Sequence, residues 1–255
     1  MKKLLTILLA VLMLASLAAC GQKKDETSVD PEPTPEPAPE VTVMSHDEFA
    51  AAELDKEVTV ETYVQAKQGW WENQATLYTQ AEDGAYFIYN MPMSEEEYAK
   101  LTEGTKIRVT GFKSEWSGEV EITDAKYEIL DGNFVATAAD VTDLLGTDDL
   151  IKHQNEKVAF KGMTVEPSTD PEGKEVAFLY NWDGSGSHDS NSDLYFNVSY
   201  NGNVYNFTVE SYLCGNDSDV YAAVEGLNVG DVIDMEGFLY WYNGVNPHIT
   251  AVTVK

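Results

Sequence analysis

The chain has 255 residues and a formal net charge of −28 at pH 7, with 44 acidic and 16 basic side chains. Proteins that hold nucleic acid by its backbone use Lys and Arg to displace counterions from the phosphates, and this chain has one arginine, Arg108. The composition therefore argues against nucleic acid as a partner and is typical of an acidic protein kept soluble outside the cell. Divalent cations and cationic partners are not excluded.

The first residues predict an export signal. Lys2 and Lys3 precede an apolar run that ends at residue 19 and is too short for a comfortable transmembrane helix. Leu-Ala-Ala then leads into Cys20, a pattern that resembles the lipobox of bacterial lipoproteins. The resemblance implies that Cys20 carries palmitate and other acyl chains and holds the protein on the outer, extracytoplasmic face of the cell membrane. An ordinary signal peptide with an incidental cysteine is the alternative.

Residues 20–43 predict a tether. Five prolines lie between Pro31 and Pro39, among acidic and small side chains. Such a segment cannot bury enough apolar surface to offset the entropy of ordering, so we expect an extended, disordered spacer.

The first copy of an internal repeat follows the tether. An alternating strand begins at Lys56, a hairpin turns at Asp83-Gly84, and a capping box of Ser94 and Glu97 begins a short helix. Two more strands complete the copy within "EGTKIRVTGFKSEWSGEVEIT", which begins at Glu103.

The second copy has the same order. A strand from Glu156, a hairpin that turns at Asn201-Gly202, and a helix capped by Asp217 or Ser218 precede "VGDVIDMEGFLYWYNGVNPHIT", from Val229. Alternation with a period of two predicts antiparallel sheets with one buried face and one wet face.

Five strands with one helix between the third and fourth resemble the OB-fold, a Greek-key barrel. The repeat is also similar to the OB domains of secreted bacterial nucleases and related lipoproteins, which carry a G-x-x-V-x-V-x-G…Y-N-G-x-x-x-I run. The matching positions in this chain are Gly104, Ile107, Val109, Gly111, Trp116, Ser117, Gly118 and Ile122, then Gly230, Ile233, Met235, Gly237, Tyr242, Asn243, Gly244 and Ile249. The resemblance implies a mainly β protein with two tandem five-stranded barrels.

The predicted organisation follows from these boundaries. It comprises a signal peptide (1–19), the lipidated tether (20–43), a first OB-fold domain (44–131), a linker (132–146) and a second OB-fold domain (147–255) with an inserted loop (166–193). The linker is apolar at Val141, Leu144 and Leu145, so we expect the two domains to pack on each other.

Aromatic residues concentrate in the segments that join strands one and two, or strands four and five, of each copy. In OB-fold proteins these two loops hold the ligand, which makes the aromatics the candidate binding residues. They are Trp70, Trp71, Trp116, Trp182, Tyr240, Trp241 and Tyr242. The alternative is that each Trp only closes the end of a barrel.

No residues predict catalysis. The histidines at 46, 153, 188 and 248 lack metal-ligand spacing, and we expect Cys214 to be a small buried hydrophobic residue. The polar loop over 183–193 lacks the Gly and the Glu of an EF-hand calcium loop. We therefore expect no enzyme activity, no cofactor and no metal.

The sequence leaves three hypotheses for function. The favoured one is a surface lipoprotein whose aromatic clefts bind a neutral glycan, an envelope polymer or a peptide. The second is an interaction lipoprotein that docks a protein partner in an envelope complex. The third, disfavoured by charge, is an accessory OB protein that binds nucleic acid.

Overall fold

The computed structural model describes residues 42–255. The predicted signal peptide, Cys20 and all but the last two residues of the tether lie outside the described residues. Within them no helix has the length and apolar character needed to cross a membrane.

The first half of the described chain contains two short helices and five strands. In chain order they are α1 (His46–Ala51), β1 (Glu57–Lys67), β2 (Gln74–Ala81), β3 (Gly84–Pro92), α2 (Glu95–Lys100), β4 (Thr105–Trp116) and β5 (Glu119–Asn133). The predicted capping box of Ser94 and Glu97 begins α2, and an equivalent box of Ser45 and Glu48 begins α1, which sequence reasoning missed.

These five strands form a closed barrel in the order β1-β2-β3-β5-β4. All pairings are antiparallel except that of β3 with β5, which is parallel. Alternate residues such as Val58, Val60, Ile107 and Val109 are buried inside. The prediction of a mainly β protein with an OB-like barrel is confirmed at this level.

The second half contains nine strands, one α-helix and two 3-10 helices, Thr142–Leu144 and Leu150–His153. The strands and the α-helix are β6 (Ala139–Asp140), β7 (Lys157–Glu166), β8 (Ser168–Thr169), β9 (Glu175–Val176), β10 (Leu179–Tyr180), β11 (Leu194–Tyr200), β12 (Asn203–Val209), α3 (Asp219–Glu225), β13 (Val232–Phe238) and β14 (His248–Val254). Because β7 pairs with both β13 and β11, five of these strands also form a closed ring of pairings, β7-β11-β12-β14-β13.

Of the two predicted hairpin turns, one lies at the predicted residues and the other is shifted by one position. In the second, Asn201 and Gly202 form the two-residue turn, with φ of 49° and 80°, as predicted. In the first, Ala81 pairs with Gly84, so the turn residues are Glu82 and Asp83, one position earlier than predicted.

The apolar part of the linker packs on the second half of the chain. Val141, Leu144 and Leu145 join the core of the second half, because β6 pairs with β7 and carries them there. The contact between the halves is a separate cluster of Tyr78, Phe87 and Phe238. The described residues form one compact unit, and the boundaries of two separate domains stay predictions.

The repeated Gly-Phe dipeptide has a packing reason. A Cβ on Gly111 would lie 2.7 Å from the Thr123 carbonyl oxygen, and one on Gly237 would clash with the carbonyl oxygen of His248. Both positions lie at irregularities in the pairing with the last strand. Glycine is therefore required where the fourth strand crosses closely over the fifth.

Candidate ligand-binding grooves

The structure divides the seven predicted aromatic residues into an exposed and a packed group. Trp71, Trp116, Trp182 and Tyr242 are 68, 60, 76 and 49% exposed. An indole held this far into water has little packing role in the barrel, so the exposed residues are the candidates for ligand contact.

The other three aromatics are part of the packing. The Trp70 indole N–H donates to the Met93 carbonyl oxygen at 2.9 Å, and its ring packs on the first core. Tyr240 stacks on His248 with ring centroids 4.2 Å apart. Trp241 packs on the second core. Their rings are therefore used in packing, Trp70 and Trp241 on the two cores and Tyr240 at the contact between the halves.

The first groove crosses strands β2 and β3 of the barrel and has a volume of about 550 Å³. Trp71, Tyr89 and Tyr212 supply exposed rings. The polar lining consists of Gln68, Gln74, Thr76 and Asn90. Tyr212 lies just after β12, so the groove is built from both halves of the chain.

The second groove lies over β11 and β12 and has a volume of about 860 Å³. Trp182 comes from the inserted segment, Tyr195 from β11 and Tyr242 from the segment between β13 and β14. The polar lining consists of Ser168, Thr169, Asn197, Asn206 and Asn246.

The two grooves share a chemistry. Every described residue that lines them is uncharged, and each groove combines aromatic rings with side-chain amides and hydroxyls. Amides both donate and accept hydrogen bonds, and the rings offer stacking faces. Such a surface suits a flat, polar, uncharged chemical group.

Trp116 lines neither groove. It ends β4, beside the tight turn Ser117-Gly118. This turn contacts the other half of the chain, because the Asn243 N–H donates to the Ser117 carbonyl oxygen at 2.7 Å. The loop that the resemblance predicts as a ligand contact in the first barrel is thus occupied by an internal contact.

Sequence reasoning missed three groove aromatics, Tyr89, Tyr195 and Tyr212. Tyr89 and Tyr195 lie on strands, and Tyr212 follows one, whereas the prediction considered only the loops joining strands one and two or four and five. The sequence carried one signal, since Tyr89 follows the buried Ile88 in the alternation of β3 and therefore falls at an outward position.

Buried ionisable groups surround the contact between the halves. Burial raises the pKa of Glu119 to about 8 and that of Glu210 to about 7, and it lowers the pKa of His248 to about 3. The Tyr78 hydroxyl and His248 Nδ1 are 2.7 Å apart. These groups belong to the internal contact and line neither groove.

Three basic side chains on the first barrel, Lys106, Arg108 and Lys113, are engaged by other groups of the protein. Arg108 contacts Glu61 at 2.7 Å and Glu128 at 3.3 Å, and Lys106 contacts Glu61 at 2.7 Å. Lys113 is buried and donates to carbonyl oxygens at the end of α1. These cations therefore do not form a phosphate-binding patch.

The other two features considered as possible sites are Cys214 and the polar loop over 183–193. Cys214 is partly buried, and burial raises the pKa of its thiol to about 11, so it is a poor nucleophile. The loop over 183–193 is held by its own hydrogen bonds, such as Ser187 Oγ to Ser190 Oγ at 2.9 Å. Residues 42–255 contain no cluster of His, Cys, Asp and Glu suited to a metal ion.

Comparison with known proteins gives structural matches only. No protein-family model matches the chain, and no curated protein matches it in sequence. A murine DNA-binding protein bound with double-stranded DNA has a TM-score of 0.37 and 10% identity, over 77% of this chain and 94% of that one. The p204 HINb domain has a TM-score of 0.37 and 8% identity, over 80% of this chain and 100% of that one. A replication protein A heterotrimer bound to single-stranded DNA has a TM-score of 0.30 and 10% identity, over 81% of this chain and 51% of that one.

Two predictions made from charge stand against these matches, whose likeness is one of fold alone. Several similar structures are DNA-binding proteins or complexes with DNA, whereas the sequence favoured a neutral glycan, an envelope polymer, a peptide or a protein partner and considered nucleic acid unlikely. The charge argument concerns binding through phosphates. It does not address contacts to the bases.

Proposed function

We propose that the two grooves bind unpaired bases of single-stranded nucleic acid, without catalysis. The observation that carries the proposal is the pairing of exposed rings with uncharged amides in both grooves: Trp71, Tyr89 and Tyr212 in the first, Trp182 and Tyr242 in the second. Base–aromatic stacking contributes about 1–3 kcal/mol per base and is tolerant of sequence.

The amides supply the second component of recognition. Side chains of Asn and Gln match the donor and acceptor pattern of a base edge. In the second groove, the side-chain oxygen of Asn246 accepts one hydrogen bond within residues 42–255, from the Thr208 hydroxyl at 2.9 Å. Duplex DNA hides the Watson–Crick edge of each base and its stacking faces, and the stacking faces are what the exposed rings require, which favours single strands over duplexes.

The charge of the chain then has a distinctive consequence. Phosphate binding weakens as salt rises, because the release of counterions from the phosphates is less favourable at higher salt concentration. Here the net charge of −28 repels the phosphates while uncharged grooves hold the bases, so salt screens a repulsion. Affinity for an oligonucleotide should therefore rise with salt, opposite to the usual direction.

The test is fluorescence anisotropy of labelled oligothymidine at several salt concentrations. Trp71→Ala and Trp182→Ala should each weaken binding about 5- to 150-fold, the range that stacking energies imply. Trp116→Ala is the matched control, since this equally exposed Trp lies outside both grooves, and it should leave affinity unchanged. A free nucleoside, which has no phosphate, should bind with little salt dependence.

Two outcomes would refute the proposal. One is an absence of binding by the folded protein across the whole salt range. The other is an affinity that falls with salt and is insensitive to Trp71 and Trp182, which would place binding on Lys and Arg side chains instead.

We further infer that two OB-like barrels in tandem are attached by the lipidated Cys20 to the outer face of a bacterial membrane. The supporting features are the apolar run ending in Leu-Ala-Ala-Cys and the Pro-Glu spacer over 20–43. Metabolic labelling with radioactive palmitate should mark the wild type and leave Cys20→Ala unlabelled; equal labelling would refute lipid attachment at this residue.

A further inference from the structure

Glu210 connects the two sides of the first groove. Its carboxylate lies just after β12 and accepts three hydrogen bonds: from Gln68 Nε2 at 3.1 Å, from the Tyr212 N–H at 3.2 Å and from the Leu213 N–H at 3.0 Å. Gln68 and Tyr212 both line the groove, one from each half of the chain.

One backbone hydrogen bond completes the connection. The Gly69 N–H donates to the Tyr212 carbonyl oxygen at 2.8 Å, which places Tyr212 beside the segment that carries Trp71. The Tyr212 ring itself is exposed, so packing does not hold it in place. The turn that carries Tyr212 is also closed by the Leu213 and Cys214 N–H groups, which donate to the Glu210 carbonyl oxygen at 3.1 and 2.8 Å. The position of Tyr212 therefore depends on these backbone contacts together with the Glu210 carboxylate, which accepts from the Tyr212 N–H.

We propose that Glu210 is a positioning residue that assembles the first groove while its carboxylate is ionised and releases Tyr212 and Gln68 when it is protonated. This inference rests on the proposed function, for which it identifies a regulation by pH. Hydrogen bonds to an ionised acceptor are roughly twice as strong as neutral ones, and a protonated oxygen competes as a donor against the three donors that face it.

The surroundings of Glu210 set the pH range. Burial and the nearby Asp193 raise its pKa to about 7. Asp193 is itself held by the Ser211 N–H at 2.8 Å. The other titratable groups whose pKa values respond to the Glu210 charge are Tyr78 from β2, Tyr195 from β11, Cys214, and Tyr240 from the segment before β14.

None of these neighbours supplies a positive charge at neutral pH. His248, which contacts Tyr78, has its pKa lowered to about 3 by burial and is neutral there. Glu210 takes part in no salt bridge within residues 42–255. Its charge state thus changes near neutral pH with no cation to hold it ionised.

The binding experiment isolates the first groove by using the Trp182→Ala background. Oligothymidine is the probe, because thymine does not titrate near neutral pH. With Glu210 intact, affinity should fall about fivefold between roughly pH 8 and pH 6, as charge-assisted hydrogen bonds are lost.

Glu210→Gln should bind weakly and without pH dependence. The control is Glu96→Gln, which changes an exposed glutamate on α2 and should keep the wild-type profile. A flat profile in the parent, or an unchanged one in Glu210→Gln, would overturn the proposal.

A ligand-free measurement keeps the inference separate from the proposed function. The amide NMR signals of Gly69, Tyr212 and Leu213 in the wild-type protein should shift together with a midpoint near pH 7, the pKa of Glu210. This holds even if no oligonucleotide binds, in which case only the proposed function fails. If the amide shifts of the wild-type protein stay constant from about pH 5 to pH 9, the positioning role of Glu210 is overturned. Because this result comes from the wild type alone, it holds even if Glu210→Gln does not fold.

Discussion

At the scale of single residues, Glu119 is the least expected feature of the molecule. Its side chain is fully buried, its Oε2 accepts from the Trp241 N–H at 2.9 Å, and its Oε1 has no partner. Asn155 Oδ1 close by also lacks a partner. Burial raises the pKa of Glu119 to about 8, so its carboxyl carries a proton at neutral pH.

Replacing Glu119 tests this assignment. Because the pKa is raised from 4.5 to about 8 on folding, the stabilisation is complete below pH 4.5 and is lost as pH rises through 8. Between pH 6 and pH 9 the wild type should lose about 3 kcal/mol of unfolding free energy from this group, and Glu119→Gln should not. Urea unfolding at both pH values measures the difference. Parallel losses in the two proteins would show that Glu119 is ionised throughout.

At the scale of elements, the crossing of the fourth and fifth strands explains why the chain repeats Gly-Phe. The sequence shows the glycine, and the structure shows that a Cβ added to Gly237 would meet the His248 carbonyl oxygen and would lie 2.8 Å from the Ile249 Cα. Backbone atoms on a paired strand cannot move aside cheaply, so a side chain here would separate β13 from β14.

The corresponding prediction compares two glycines. Gly237→Ala should destabilise the protein by about 1–3 kcal/mol through overpacking. Gly226→Ala is the control, since Gly226 ends α3 with φ of −83° and its nearest atoms lie 3.5 Å from a Cβ. That change should be neutral or stabilise by less than about 1 kcal/mol. Thermal unfolding checks both, and equal effects would contradict the close-crossing explanation.

At the scale of the whole molecule, the two halves meet through a buried polar and aromatic contact. Tyr78 from the first half packs on Phe238, and its hydroxyl lies 2.7 Å from Nδ1 of His248 in the second half. His248 is stacked on Tyr240 and is kept neutral, because burial lowers its pKa to about 3. A charge on this ring would disrupt the contact between the halves.

Acid should therefore weaken the junction. The pKa of His248 falls from 6.5 to about 3 on folding, so the unfolded chain takes up the proton first and stability is lost as pH falls from 6.5 toward 3. From pH 7 to pH 4 this group should cost about 3 kcal/mol, and His248→Gln should remove that part of the loss. His153→Gln, at a partly exposed histidine, is the control. If His248→Gln loses stability as steeply as the wild type, other groups dominate acid unfolding.

Local patterns in the sequence predicted most of the elements but few of the contacts. Alternation, the Ser94 capping box and the Asn201-Gly202 turn depend on neighbouring residues, so they can be read in one dimension. The helix α1 was missed because it is one short turn and a half beside a long polar tether. The apolarity of Val141, Leu144 and Leu145 indicated burial but did not say against which core these residues pack.

The candidate grooves show the same limit. Loop position alone could not separate Trp71 from Trp70, which are adjacent but differ because Trp70 finds the Met93 carbonyl oxygen and a core to pack on. Net charge also could not indicate what the grooves hold, since it sums over the whole surface while the residues that line the grooves are uncharged.

What the sequence by itself determined is the mainly β architecture, the repeat and the crossing glycines, because periodicity and steric demand act between near neighbours along the chain. What only the tertiary structure decided is which aromatics face water, that Tyr212 joins Trp71 in one groove, and that Glu119, Glu210 and His248 share a buried junction. These features depend on contacts between residues more than a hundred positions apart. The pKa values of Glu119, Glu210 and His248 follow from burial in such contacts, which no local sequence pattern predicts.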